Sequence, residues 1–245
     1  MSCLFDYTEL GVEGVVICGD IHGDFEKLVH KLCVEYSLKN TLLVVAGDCG
    51  FGFFNLLYYD MIYQRVSRRL AKSNNYIAFV RGNHDNPFYF NGDVVCYKRW
   101  RAVPDYSMIR ACGHNILCVG GAVSPDRADR TEGKNWWPNE APFMDRGEVI
   151  TIPDSMPVDI VVSHSAPSFC HISTLDGIMG RCVKDSCLID AISAERAVMD
   201  EVFSTLRDFG HPVKSWFYGH FHQHWQETFG DTTFYLLDVM EFREL

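Results

Sequence analysis

The stretch Val15-Val16-Ile17-Cys18-Gly19-Asp20-Ile21-His22-Gly23 decides how this chain is read. An unbroken apolar run is a strand buried on both faces, because neither face has to alternate with water. The run stops at Gly19-Asp20. After it, Phe25, Leu28, Val29, Leu32, Cys33 and Tyr36 share one helical face. The pattern then repeats. Residues 42–46 read as a second buried strand ending at Gly47-Asp48, and residues 64–71 have helical spacing. Residues 76–80 read as a third strand ending at Arg81-Gly82-Asn83-His84-Asp85. This βαβαβ order predicts a largely parallel sheet covered by helices.

Further strands are predicted over 94–97, 107–111, 116–119, 160–163, 215–218, 225–228 and 234–238. A long helix is predicted over 187–209, with Ala194, Val198, Val202 and Leu206 at spacing four. The strand-rich later part predicts a second sheet. Two stretches, 124–144 and 168–184, fit neither pattern, and long loops in compact domains are commonly functional or mobile.

A length of 245 residues, 47% of them hydrophobic and 22% charged, fits one globular domain spanning residues 1–245. The formal net charge of -10 argues against bulk nucleic-acid binding, which needs a basic surface to release counterions. No apolar run approaches the ~20 residues of a membrane span. The start, MSCLFDYTEL, has no apolar leader core, and the 10 cysteines form no CxxC pair. Free, mostly buried thiols in a reducing cytoplasm are therefore expected.

The chemistry lies at the strand ends. They carry Asp20 and His22, Asp48, Asn83 and His84, then His164 after Ile160-Val161-Val162-Ser163, then His220 and His222 after Phe217-Tyr218-Gly219. Ligands gather at strand ends in α/β sheets. Residues two apart point to one face if the chain stays extended, so Asp20 with His22, and His220 with His222, can each reach one cavity. Gly19, Gly47, Gly82 and Gly219 would let the backbone turn sharply. Carboxylate, imidazole and amide oxygen together suit Mn, Fe, Zn or Ni. One Gly-Asp after an apolar run is usually only a turn. His30, His114, His171, His211 and His224 each stand alone and read as ordinary hydrogen-bonded histidines. The ordered series is a metal-site signature.

That series resembles the calcineurin-like metallophosphoesterases, over residues 20–222. The resemblance implies an α/β fold, a four-layer αββα sandwich of two mixed sheets flanked by helices. It implies two divalent or trivalent transition-metal ions, Mn being the natural choice in vitro. One would take Asp20, His22, Asp48 and His222, and the other Asp48, Asn83, His164 and His220. His84 would face the phosphate. The match is nearest to protein Ser/Thr phosphatases and dinucleoside polyphosphate hydrolases at Gly19-Asp20-Ile21-His22-Gly23 and Arg81-Gly82-Asn83-His84. Those families continue after the second Asp with Val-Asp-Arg-Gly, whose Arg binds phosphate; here Cys49-Gly50-Phe51-Gly52 follows. They also carry Glu in place of Asp85.

With such ions, a bridging water would lose its proton near neutral pH and attack phosphorus in line. His84 is the candidate to protonate the leaving oxygen, or else a hydrogen-bond donor behind the site. Asp85 would orient His84 or cap a helix. Arg81 would bind phosphate or form a surface ion pair. Arg127 and Arg130, beside Trp136 and Trp137, would contact substrate from a rim, although adjacent tryptophans also simply pack loops. The expected activity is that of a phosphatase on a phosphorylated small molecule, nucleotide or phosphoprotein. A phosphodiesterase for small nucleotide diesters or dinucleoside polyphosphates is the alternative, and a scaffold without catalysis is the rival from another class.

Overall fold

The computed structural model describes residues 3–172 and 177–245. Along the chain run β1 (Leu4–Asp6), β2 (Gly14–Cys18), α1 (Phe25–His30), β3 (Thr41–Val45), α2 (Leu56–Ser73), β4 (Tyr76–Phe79), β5 (Cys96–Tyr97), β6 (Trp100–Ala102), β7 (Ser107–Ala111) and β8 (His114–Val119). Then follow α3 (Arg146–Ile150), β9 (Ile160–Ser163), α4 (Leu188–Asp208), β10 (Ser215–Tyr218), β11 (Trp225–Phe229), β12 (Thr232–Leu236) and β13 (Phe242–Glu244). They build a six-stranded sheet, β13-β2-β3-β4-β6-β5, and a seven-stranded sheet, β1-β7-β8-β9-β10-β12-β11. The centre of the first is parallel, from β2 through β6, with antiparallel strands at both edges. The second is mixed, with β8, β9, β10 and β12 parallel.

Side-chain alternation sorts the apolar residues into three layers. Val15, Ile17, Leu42, Val44, Ala78 and Val80 face Ile109, Ile116, Cys118, Ile160, Val162 and Phe217 between the sheets. The opposite face of the first sheet packs Val16, Leu43, Val45 and Phe79 against Phe25, Leu28, Tyr59 and Val66 of α1 and α2. The opposite face of the second packs Leu117, Val161, Trp216 and Phe234 against Met199, Val202 and Leu206 of α4. This is the αββα sandwich implied by the resemblance. At ~25 cal/mol per Å² of apolar area, three such layers dominate the stabilisation of the fold.

The edges differ from expectation. β1, β6 and β13 are three-residue strands that the sequence does not announce. Helix α2 starts at Leu56 rather than at residue 64, because Asn55 accepts a hydrogen bond from Tyr58 N and caps it. The loop expected over 168–184 is described except for residues 173–176. All 10 cysteines are free, but only Cys18, Cys49, Cys118 and Cys170 are buried, which corrects the expectation of mostly buried thiols. Among the described residues, no helix is long and apolar enough to cross a membrane.

Candidate metal centre

The strand ends of both sheets meet at one side of the sandwich. The backbone there is not extended, which corrects the simple geometry expected for the paired residues. His22, Asp48, His220 and His222 have φ of 46°, 47°, 71° and 49°. Left-handed residues of this kind cost about 1–3 kcal/mol each and gather at functional sites. Of the four glycines read as sharp turns, only Gly47 has a positive φ, +100°. The others are needed for close approach. A Cβ on Gly82 would lie 2.1 Å from Asp48 N, and one on Gly219 would lie 2.1 Å from Asp20 Oδ1. No side chain fits at Gly82 without moving the Asp48 backbone, or at Gly219 without moving the Asp20 carboxylate.

Two overlapping groups result. In the first, one ligand atom each from Asp20, His22, Asp48 and His222 lies within 4.8 Å of the others. His22 Nε2 is 3.0 Å from His222 Nε2, and His222 Nε2 is 3.0 Å from Asp20 Oδ2. The second group joins Asp48 to Asn83, His164 and His220. Asn83 Oδ1 lies 3.0 Å from His164 Nε2 and 2.9 Å from His220 Nδ1, and His164 Nε2 lies 3.2 Å from Asp48 Oδ1. Asp48 belongs to both.

These residues fit cations. Asp20 Oδ2 is buried and, despite its nearness to His222, has no aligned hydrogen-bond partner. A buried carboxylate oxygen left so is costly unless a cation faces it. His164 Nδ1–H donates to the Ala46 carbonyl at 2.8 Å, which aims Nε2 at two acceptors, Asp48 Oδ1 and Asn83 Oδ1. Burial disfavours charge on His164, yet Asp48 and Asp20 outweigh it and push its pKa up to about 10. The two carboxylates that raise the proton affinity of His164 would likewise attract a cation at this position. For Asp48, burial raises the pKa, but His164, His84 and His22 hold it well below the usual carboxylate range. Burial, then His164, push the His220 pKa well down.

His84 lines the same cavity. Its backbone N donates to Asp48 Oδ1 at 2.8 Å, and its Nε2 is 3.8 Å from Asp48 Oδ2. The Arg130 guanidinium lies against the ring, with nitrogens 2.8 and 3.1 Å from Nε2 and Nδ1. Burial, and then Arg130, lower the His84 pKa against the pull of Asp48. Arg130 itself is gripped by Asp126, Nε to Oδ1 at 2.7 Å.

Several of the expected residues are placed elsewhere. Arg81 is neither a phosphate contact nor a surface pair. It is 3% exposed, pairs with Asp105 at 2.8 Å and donates to the carbonyl of Glu140 at 2.6 Å. Asp85 neither caps a helix nor bonds His84. Its carboxylate accepts four backbone N–H bonds, from Cys49, Gly50, Phe51 and Gly82, at 2.7–3.0 Å, and so ties two strand-end turns together. Arg127 turns away from the cavity to pair with Asp185. Trp137 is buried and packs on Phe53, at 6.0 Å between ring centroids, and neither tryptophan lines the cavity. The five lone histidines stay outside the site; His114, for example, pairs with Asp159.

The sequence also hid a supporting network. Asn83 Nδ2 donates to Ser124 Oγ at 3.0 Å, and Ser124 donates through Oγ and N to Glu140 at 2.6 and 2.7 Å. This fixes the amide so that its oxygen faces the two histidines. Nothing in the spacing of Ser124 and Glu140 marks them, because both lie in an irregular loop.

The model of the calcineurin-like phosphoesterase family matches residues 14–224. The chain belongs to that family. Its members use divalent metal ions. Among curated relatives, the chain is 31% identical over 126 residues to serine/threonine-protein phosphatase ppe1 of Schizosaccharomyces pombe, covering 46% of this chain and 40% of that protein. It is likewise 31% identical over 126 residues to the serine/threonine-protein phosphatase 6 catalytic subunit of Caenorhabditis elegans, covering 46% of this chain and 37% of that one. The match thus spans about two-fifths of these relatives. Among solved structures, TT1561 of Thermus thermophilus shares the fold, with a TM-score of 0.51 and 14% identity, covering 93% of this chain and 90% of that one.

Proposed function

We propose that this chain is a phosphoesterase working with two transition-metal cations, and that it acts as a phosphatase. Asp20, His22, Asp48 and His222 would hold one cation; Asp48, Asn83, His164 and His220 would hold the other. The observation that carries this reading is the convergence of Asp20, His22, Asp48 and His222, one ligand atom each within 4.8 Å of the others, around two buried carboxylates. Cations in such a site supply activated water and neutralise phosphoryl oxygens.

The chain's own residues do the rest. Ala46 O holds His164 in one tautomer, and Ser124 holds Asn83 in one orientation. Arg130 stands at the cavity wall with its guanidinium on the His84 ring and its Nε and Nη2 on Asp126, so it would meet a phosphate as a fixed positive charge beside His84. It takes the part for which Arg81 and Arg127 were also candidates. Burial, and then Arg130, lower the proton affinity of His84 against the pull of Asp48. A phosphoryl dianion seated on Arg130 would compensate that charge and raise the proton affinity of His84. His84 could then donate to the leaving oxygen. An arginine added to the cations favours a dianionic monoester over a monoanionic diester.

The test is turnover of p-nitrophenyl phosphate and bis-p-nitrophenyl phosphate with Mn²⁺, with Asp48→Asn as the blank. Faster monoester turnover supports a phosphatase. Faster diester turnover would move the activity to phosphodiester hydrolysis. Rates equal to the blank on both would leave a scaffold.

A further inference from the structure

The cavity at the metal centre has a volume of about 580 Å³. Asp48, Asn83, His84, His220 and His222 form one end of it. Pro125 and Arg130 wall it from the loop after β8, Ile172, Ile178 and Arg181 from the loop after β9, and Ile192 from α4.

The two loops are fastened to each other. Arg127 pairs with Asp185 through Nε and Nη2, Lys184 Nζ bonds Asp129 at 2.6 Å, and Arg181 lies 4.0 Å from Asp126. The first pair is the strongest, being two-pronged and mostly shielded from water. The exposed pairs contribute less. Residues 126–130 and 181–185 thus make one continuous wall, with α4 beside it.

A phosphorylated segment in the middle of a polypeptide must enter a site and leave it again. Among the described residues, the joined stretches 126–130 and 181–185 and helix α4 wall the cavity on those sides, which suits a group that enters end-on. Its volume lies within the ~300–1,000 Å³ of small-molecule sites. Its lining joins Ile172, Ile178, Ile192 and Phe221 to arginines. The acidic groups on its wall are engaged: Asp126 by Arg130, Asp200 by Ser168 N, and Glu195 by Val123 N and Ser165.

We propose that the substrate is a small phosphomonoester with an apolar or aromatic leaving group, bound end-on with that group in this cavity, and that internal phosphorylated segments of proteins are excluded. This rests on the phosphoesterase reading above.

The experiment matches leaving-group chemistry. The wild-type protein with Mn²⁺ is given 1-naphthyl phosphate, and separately a peptide of about ten residues with a central phosphotyrosine. The expected kcat/KM is about 100-fold higher for naphthyl phosphate, the scale on which a pocket rejects a misfit. A second arm fills the cavity with Ile192→Trp. Its KM for naphthyl phosphate should rise about tenfold, and its calorimetric affinity for 1-naphthylmethylphosphonate should fall about as much. Metal content and melting temperature report that the variant is folded. Peptide turnover within about fivefold of naphthyl phosphate would overturn the inference even if Ile192→Trp failed to fold. So would a folded Ile192→Trp with unchanged KM and phosphonate affinity. If neither ester is turned over faster than by Asp48→Asn, the phosphoesterase reading itself fails, and this inference with it.

Discussion

Replacing Arg81 by Met separates a structural arginine from a substrate-binding one. The guanidinium is 3% exposed and meets Asp105 through Nε at 3.3 Å and Nη2 at 2.8 Å. It also donates to the carbonyls of Glu140 at 2.6 Å and Gly120 at 3.3 Å. Met fills a similar volume but leaves the Asp105 carboxylate, 13% exposed, with only the Gly120 N–H at 2.9 Å as partner. Breaking one side of a buried pair costs about 3–5 kcal/mol. For a chain of this size, each kcal/mol shifts the melting temperature by about 2–4 °C, so a fall of roughly 6–20 °C is expected. Thermal unfolding followed by circular dichroism measures it. KM for p-nitrophenyl phosphate, assayed well below the lowered transition, should change less than about threefold, since no phosphate contact is lost. A melting temperature within about 2 °C of wild type, together with a KM raised about tenfold or more, would refute the assignment.

Three further outcomes follow from the same geometry. Ser124→Ala removes the acceptor for Asn83 Nδ2 and should weaken metal affinity about 10–100-fold, read by competition with a fluorescent chelator; unchanged affinity would mean that Asn83 needs no such support. Gly47→Ala must place a Cβ 2.1 Å from His164 Nδ1 at a φ of +100°, so tight metal binding should be lost; a variant retaining full metal content would refute this. His211 accepts a hydrogen bond from Val158 N, and burial holds its pKa below the usual histidine range. The unfolded chain, with a histidine pKa of about 6.5, then binds the extra proton more readily. Stability should therefore fall as pH drops through about 6.5 toward the depressed folded value, and His211→Gln should flatten that part of the denaturant-midpoint profile. Parallel profiles for the two proteins would contradict it.

How much was legible in the sequence depends on whether an element announces itself locally. The central strands do, because they are apolar on both faces and end in Asp, Asn or His. β1, β6 and β13 do not. Each has three residues, and its role comes from a partner far along the chain, as when Leu4 pairs with Met108. Arg81 looked functional because it precedes Asn83, yet sequence adjacency does not fix direction. Its side chain instead enters the interior to meet Asp105 and the 139–141 backbone. Asp85 likewise follows His84 in sequence, but its carboxylate turns to the backbone of Cys49, Gly50, Phe51 and Gly82. Arg127 and Arg130 were indistinguishable in sequence. Only the folded loops show that one clasps Asp185 while the other lies on His84. Ser124 and Glu140 left no trace, because a hydrogen-bond network in an irregular loop has no period.

The central claim is that Asp48 is shared between two cations. Metal analysis of protein purified in the presence of Mn²⁺ tests it most directly, with Asp48→Asn and Arg130→Ala measured alongside. The account predicts two equivalents of metal per chain in the wild type and in Arg130→Ala, and one or fewer in Asp48→Asn. A wild type that binds one equivalent or none under these conditions, or an Asp48→Asn that keeps two, would contradict it.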